Sequence, residues 1–280
     1  MKLGLAGINV GTMAAPGFGP LAALAESLGY ESLWTAEHII LADLPPGETP
    51  RPGTTPFLDS MAGLGFLAAH TQTMKLATGV LLLPQHNPLL LAKQLASVDV
   101  LSNGRLIVGI GVGSIEAEAV GMGAPMHERG ARANDYLNAM IALWTQEHPH
   151  YTGRHVSFEG INAYPRPVQK PYPPFVVGGR ADGALRRTVR YAAGWYGYAM
   201  SLEQTRELLQ RLSAVGEKVQ RPAALGDIEI TIAPSEKITS ETIAAYTEIG
   251  VSRLLVRPPQ DRGLEAVEAS IREYAPLIGS

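Results

Sequence analysis

Strand-like and helix-like periods alternate along this chain from one end to the other, and that alternation limits its fold more than any other feature. Eight strand-like runs stand out: LGLAGIN from Leu3, SLWTAE from Ser32, KLATGVLLL from Lys75, LIVGIGVG from Leu106, PFVVGG from Pro174, WYGYAM from Trp195, IEITIA from Ile228 and RLLVR from Arg253. Amphipathic helical patterns lie between them. Strands that are apolar on both faces, each followed by a helix, predict a parallel sheet. Eight such units in 280 residues fit an α/β fold of one kind, the closed (β/α)8 TIM barrel, whose usual size is about 250 residues. A doubly wound open sheet would use fewer strands. No linker or compositional break divides the chain, so residues 1–280 are read as one barrel domain.

Local signals support the helices. In the pattern over 89–101, Asn87 can cap, Pro88 suits the first helical position, and Leu91, Leu95 and Val98 make one face. Asn103 and Gly104 offer a left-handed stop. Ser201 and Gln204 have capping-box spacing ahead of the sixth helix. Two longer non-helical stretches, 41–56 and 148–173, interrupt the regularity. Both are expected to follow barrel units on the side where barrel enzymes keep their sites.

Composition excludes several classes. A formal charge of −3 gives no basic surface for nucleic acid. With Cys 0 there are no disulfides, thiolate nucleophiles or cysteine–zinc sites. No apolar run reaches the ~18 residues of a membrane span. The opening MKLGLAGINVGTMAA has the look of a weak leader, but Gly and Asn interrupt it and its alternation suits a first strand. The expected location is cytoplasmic.

Three short motifs bear on chemistry. GIGVG over 109–113 follows a strand, but Ser114 replaces the third glycine of a dinucleotide fingerprint, and the small residues equally serve close packing. Gly178, Gly179 and Arg180 close the fifth strand before a helix, either as a phosphate seat on free amides or as a plain tight turn. Glu37 and His38 end the second strand, from which barrel enzymes project catalytic groups; a carboxylate beside an imidazole suits proton transfer. A structural loop histidine is the plainer reading. His86 and His127 read as capping or loop residues, and His148, His150 and His155 lack the spacing of a metal site. Trp34, Trp144 and Trp195 read as packing.

The block ATGVLLLPQHNPLLLAKQLASVDVLSNGRLIVGIGVG, with AEH upstream and RG…ALW, PP…VVGG and GW downstream, resembles the luciferase-like monooxygenase superfamily, most closely its branch using the deazaflavin coenzyme F420. The resemblance runs through essentially the whole chain, and the family fold is a (β/α)8 barrel. It implies a non-proline cis peptide at Gly79–Val80 behind the cofactor ring, a ring-lining loop at Gly111, Val112, Gly113 and Ser114, and cofactor phosphate at Gly178, Gly179 and Arg180. Arg257, after the eighth strand, is the alternative phosphate location. His38 matches the proton-handling histidine and Glu37 the acid before it. Ser114 stands where sugar-phosphate dehydrogenases of the family carry glutamate, which argues against that activity. Ala42 lies near the place of a tryptophan in those enzymes. Trp195 matches a residue packed beside the site.

The function implied is F420-dependent hydride transfer between the deazaflavin C5 and a small organic substrate, with no metal. The alternatives are an FMN-dependent monooxygenase fed by a separate reductase, and a non-catalytic cofactor-binding protein. Arg180, Arg186, Arg187 and Arg190 are candidates for the acidic tail of F420, with solvated helix charge as the plainer reading. The stretch 41–56 is expected to cover the substrate, and the family suggests a homodimer.

Overall fold

Short strands that are apolar on both faces must hide two faces and two edges, and closing into a ring removes the edges. The computed structural model describes residues 1–43, 45 and 51–279. Its strands are β1 (Lys2–Ala6), β2 (Ser32–Thr35), β3 (Lys75–Thr78), β4 (Leu81–Leu82), β5 (Leu106–Gly111), β6 (Tyr151–Thr152), β7 (Ser157–Phe158), β8 (Phe175–Gly178), β9 (Gly194–Met200), β10 (Glu229–Pro234) and β11 (Arg253–Val256). The helices are α1 (Phe18–Ser27), α2 (Ser60–His70), α3 (Pro88–Leu101), α4 (Glu116–Gly121), α5 (Arg129–Thr145), α6 (Asp182–Tyr191), α7 (Leu202–Gly216), α8 (Ser240–Glu248) and α9 (Gly263–Tyr274).

All pairings in the main sheet are parallel, in the order β3-β2-β1-β11-β10-β9-β8-β5, and β3 pairs with β5 to close the ring. β4 continues the third strand beyond a break at Gly79 and Val80. This is the eight-stranded barrel that the alternation predicts.

Two cores follow from the two faces of every strand. Outward residues such as Leu33, Leu76, Val108 and Ile232 meet the helices. Inward, one residue from each strand forms a single layer: Ala6, Trp34, Ala77, Ile107, Val176, Tyr196, Ala233 and Leu255. Trp34 and Tyr196 come from opposite sides of the ring and stack at 5.5 Å and 19°. The three alanines leave room for the two large rings.

The local signals hold. Asn87 Oδ1 accepts from Leu89 N and Leu90 N, and Leu91, Leu95 and Val98 are buried. Asn103 and Gly104 have φ of 53° and 75°. Ser201 and Gln204 form the full capping box. The stretch 148–173 departs from expectation. It follows helix α5, so it starts at the opposite end of the barrel, and its β6–β7 hairpin runs back along the outside of α5 to the N-terminal end of that helix. Tyr151 Oη donates to Asp135 at 2.5 Å, and Arg154 pairs with Glu128 at 2.7 Å. Among the described residues, no helix is long and apolar enough to cross a membrane.

Beneath the inward layer sits an ion cluster. Arg253, almost fully buried, donates to both Glu31 oxygens at 2.7 and 2.9 Å, to Glu229 at 3.1 Å and to Thr231 at 2.8 Å, and its guanidinium lies 5.6 Å from the Trp34 ring. Burial raises the Glu31 carboxyl, but the bonds and charge of Arg253 outweigh it and hold the group below its ordinary value. Glu31 therefore stabilises the fold fully above the unfolded carboxyl value, about 4.3, and that contribution is lost as pH falls through the lower folded value. Thermal melts of Glu31→Gln and the parent between pH 3 and pH 7 test this. The variant should melt lower at pH 7, and the gap should narrow below about pH 4.

Candidate active site

The inward layer closes the barrel from below, and above it the strand ends open into a cavity of about 1710 Å³. Every residue expected at the site from sequence lines this cavity: Glu37, His38, Gly79, Val80, Gly111, Val112, Gly113, Ser114, Gly178, Gly179 and Arg180. None of 148–173 does. Of the expected covering loop, residues 51, 52 and 54–56 line the cavity, while 44 and 46–50 lie outside the described residues.

One wall is flat because its glycines make room for Val80. The Gly79–Val80 peptide is cis. A Cβ on Gly111 would come within 2.6 Å of Val80 Cγ2, one on Gly178 within 3.1 Å of Val80 Cγ1, and one on Gly109 would strike the Thr78 carbonyl. Gly109 and Gly111 are therefore required by the packing of the wall, whereas Gly113 has a φ of 77° that suits glycine. Val80 in turn packs on the inward layer.

His38 is placed by buried Asn9. The Asn9 amide bonds Ala36 N at 2.8 Å, Ala36 O at 2.9 Å and Leu58 O at 2.7 Å, tying the exit of β2 to the segment carrying Phe57. The His38 ring meets Phe57 edge-on at 5.0 Å. Its acid is not Glu37. His38 Nδ1 lies 3.0 and 2.9 Å from the two oxygens of Glu118, which is 2% exposed and also accepts from Ala42 N at 3.3 Å. Glu37 points the other way and accepts from Leu82 N at 2.6 Å and His86 Nε2 at 3.0 Å. Neighbours in extended chain face opposite sides, so Glu37 braces β4 while its neighbour faces the cavity. His86 lies in the loop before α3, as expected, and from there it partners Glu37.

A carboxylate can only accept, so Nδ1 carries the proton of the His38–Glu118 bond and Nε2 is the nitrogen left for exchange. Glu118 has no motif of its own. It stands in the short α4, where helical spacing alone gives no reason to choose it over Glu116.

On the far side lies the start of α6. It begins with Ala181 at its N-cap and no side-chain cap, and Ala181, Gly183 and Ala184 line the cavity at the positive end of the helix dipole. Gly179 has φ of 113°, a conformation suited to glycine, and its carbonyl accepts from Trp195 Nε1 at 2.9 Å. Asp182, in the first turn, would repel an anion, but it pairs with Arg211 at 2.7 Å. Arg187 also reaches this wall. It is 6% exposed, donates at 2.8 Å to Asn134 Oδ1 and at 3.0 Å to Gly130 O, and has no acid partner among the described residues. Burial pushes its guanidinium pKa down. Arg180 is exposed and donates to Tyr198 O at 3.0 Å. Arg186 and Arg190 are exposed and outside the cavity wall, so of the four candidate arginines only Arg180 and Arg187 come to the site. Among the described residues no group of three acids or histidines is arranged to hold a metal.

The family model described as "Luciferase-like monooxygenase" matches residues 7–254. A protein of Mycobacterium tuberculosis, itself uncharacterized, is 32% identical over 92% of this chain and 93% of its own length. The oxygenase component of the flavin-dependent trigonelline monooxygenase of Acinetobacter baylyi is 29% identical over 71% of this chain and 53% of its own. The coenzyme F420-dependent tetrahydromethanopterin reductase of Methanopyrus kandleri has the same fold, with a TM-score of 0.77 at 15% identity over 99% of this chain and 98% of that one. The chain belongs to the luciferase-like monooxygenase family, whose members are oxidoreductases and monooxygenases.

Replacing Glu118 with Leu removes the acceptor that fixes the His38 tautomer. Nitrogen NMR of labelled imidazoles should show His38 protonated at Nδ1 in the parent at high pH and a mixture of tautomers in Glu118→Leu.

Proposed function

We propose that this protein is an F420-dependent oxidoreductase that transfers a hydride between C5 of the deazaflavin and a small organic substrate. The observation that carries the reading is Arg187, a buried cation with no acid partner among the described residues, on the cavity wall that also holds the uncapped N-terminus of its helix, α6. Burying an ion without its counter-charge costs several kcal/mol, and a ligand bringing negative charge offsets that cost. The α6 amides suit one phosphate. Arg187, with Arg129 and His127 on the same wall, suits the further negative charge of an acidic tail, which F420 has and FMN lacks.

The residues fit such a cofactor along its length. The wall of Val80 and its glycines suits a flat ring system, the loop from Gly111 to Ser114 its edge, and Gly178, Gly179 and the α6 amides its phosphate. When bound in reduced form, the cofactor supplies the hydride. The protein supplies the proton. His38 Nε2 delivers it to the oxygen or carbon that becomes anionic, and Glu118 on Nδ1 keeps the ring oriented and balances its charge while it is doubly protonated. Phe57 against the imidazole keeps water from that side. In the opposite direction the same nitrogen accepts the proton.

A second reading has one observation behind it: the trigonelline monooxygenase relative is flavin-dependent by name. An FMN-dependent oxygenase would use the same ring wall and phosphate seat, and Arg187 would then neutralise the phosphate alone.

Titration of the purified protein with F420 and with FMN, followed by fluorescence, separates the readings. F420 should bind at least tenfold more tightly than FMN. Arg187→Met should remove most of that preference by weakening F420 alone; equal affinity for the two cofactors in the parent would favour the oxygenase.

His38→Ala tests the chemistry. A positioned acid contributes roughly 10²–10⁴-fold. Turnover of an enone or ketone with reduced F420 should fall by that order, with F420 affinity changed less than about threefold. A variant that turns over like the parent removes His38 as the proton donor.

A further inference from the structure

Of the eight inward residues that floor the cavity, six are aliphatic. The indole nitrogen of Trp34 is occupied, donating to Ser32 Oγ at 2.9 Å. Tyr196 is different. The residue is 4% exposed, and its hydroxyl makes no hydrogen bond among the described residues. That oxygen is nevertheless not sealed in the interior, because Tyr196 lines the cavity. Burial, and then Tyr198, raise the phenol above its ordinary value, with Arg257 opposing them. The group therefore stays protonated and can donate. A hydroxyl taken out of water without a partner is unfavourable, and a ligand that brings an acceptor to it removes that cost.

The register of the strands says which part of a ligand it would meet. Tyr196 of β9 stands level with Gly178 of β8. Gly178 is one of the glycines that make room for Val80, since a Cβ there would lie 3.1 Å from Val80 Cγ1. Val80 in turn packs on the floor layer to which Tyr196 belongs. From β9 the Tyr196 side chain reaches inward to stack on Trp34. Tyr196 thus stands at the foot of the flat wall. A planar ring seated against Val80 meets this floor along one edge. No charged side chain belongs to the layer, so the floor offers that edge hydrocarbon and one neutral donor. An uncharged acceptor such as a ring carbonyl suits it.

We propose that the Tyr196 hydroxyl donates a hydrogen bond to a carbonyl on the pyrimidinedione edge of the bound ring, and so fixes the depth at which the ring sits above the Trp34 stack. This rests on the reading of the Val80 wall as a ring seat. It is independent of which cofactor binds, because deazaflavin and flavin share that edge. Tyr196 positions the ring from below, while Val80 supports its face.

Tyr196→Phe removes the oxygen and keeps the stack. In fluorescence titrations the variant should bind F420 and FMN each roughly three- to tenfold more weakly than the parent, as one lost neutral hydrogen bond predicts. Riboflavin, which has the ring without the phosphate, should lose the same factor. Infrared difference spectra of bound FMN should show a ring carbonyl band moved to higher wavenumber in the variant. Thermal melts without cofactor give the structural control: a hydroxyl with no internal partner leaves the variant melting at or above the parent temperature. A variant that melts lower has lost a partner inside the protein. Unchanged affinities or unmoved carbonyl bands take the hydroxyl off the ring. Each of these results overturns the proposal, as does a loss confined to F420, which assigns the bond to a part that FMN lacks. A parent that binds none of the three ligands overturns the ring seat as well. Equal losses in a protein that prefers FMN support the Tyr196 contact and overturn only the F420 reading.

Discussion

The stack of Trp34 on Tyr196 across the barrel axis is the contact on which the rest of this structure depends. A ring of eight short strands encloses a space that must be filled, and here one inward layer fills it with two large rings and three alanines. Below the stack, Arg253 lies under Trp34 and ties Glu31 and Glu229 together. Above it the strand ends are free to open. The stack is thus both the plug of the core and the floor of the cavity. The direct energy of such an aromatic pair is modest, about 0.5–1.5 kcal/mol beyond area burial. Its larger effect is geometric, because it decides at what height the packed interior stops.

From that floor the site divides by strand. The third, fourth and fifth strands give the flat wall, through Val80 and the glycines that accommodate it. The helix after the fifth gives an uncapped N-terminus on the cavity wall. The second gives His38, and the eighth gives Arg257. Each group is therefore held by a different strand end, and the spacing between them is set by the ring rather than by any loop. Three charged groups near the site are held in pairs: Glu118 with His38, Glu37 with His86, Asp182 with Arg211. Among the arginines that line the cavity, Arg187 is the buried one.

Sequence reading went furthest where physics is local. Asn87 before Pro88 could only begin a helix well, Asn103-Gly104 could only end one, and Ser201 and Gln204 satisfy each other across one turn; all three hold. Period failed where the chain leaves its elements. The stretch 148–173 read as a second cover for the site because its length was legible and its path was not; it leaves a helix at the other end of the barrel, and the hairpin that brings it back to Glu128 lies outside α5 rather than on the cavity wall. Glu37 read as the acid of His38 because the two are adjacent, and in extended chain adjacency separates side chains instead of joining them. Arg187 shares a helix with exposed Arg186 and Arg190, and nothing in its own neighbours marks it as the buried one.

By itself the sequence determined the barrel, since doubly apolar strands alternating with helices have few ways to hide both faces, and it determined which strand ends carry glycine, histidine and arginine. Only the tertiary structure decided the pairings. Glu118 reaches His38 from 80 residues away, Glu37 turns to His86, and Arg257 reaches past β10 to the Tyr198 ring of β9. Those contacts depend on which residues a closed ring brings face to face, and closure is a property of the whole chain, so no window of sequence contains it.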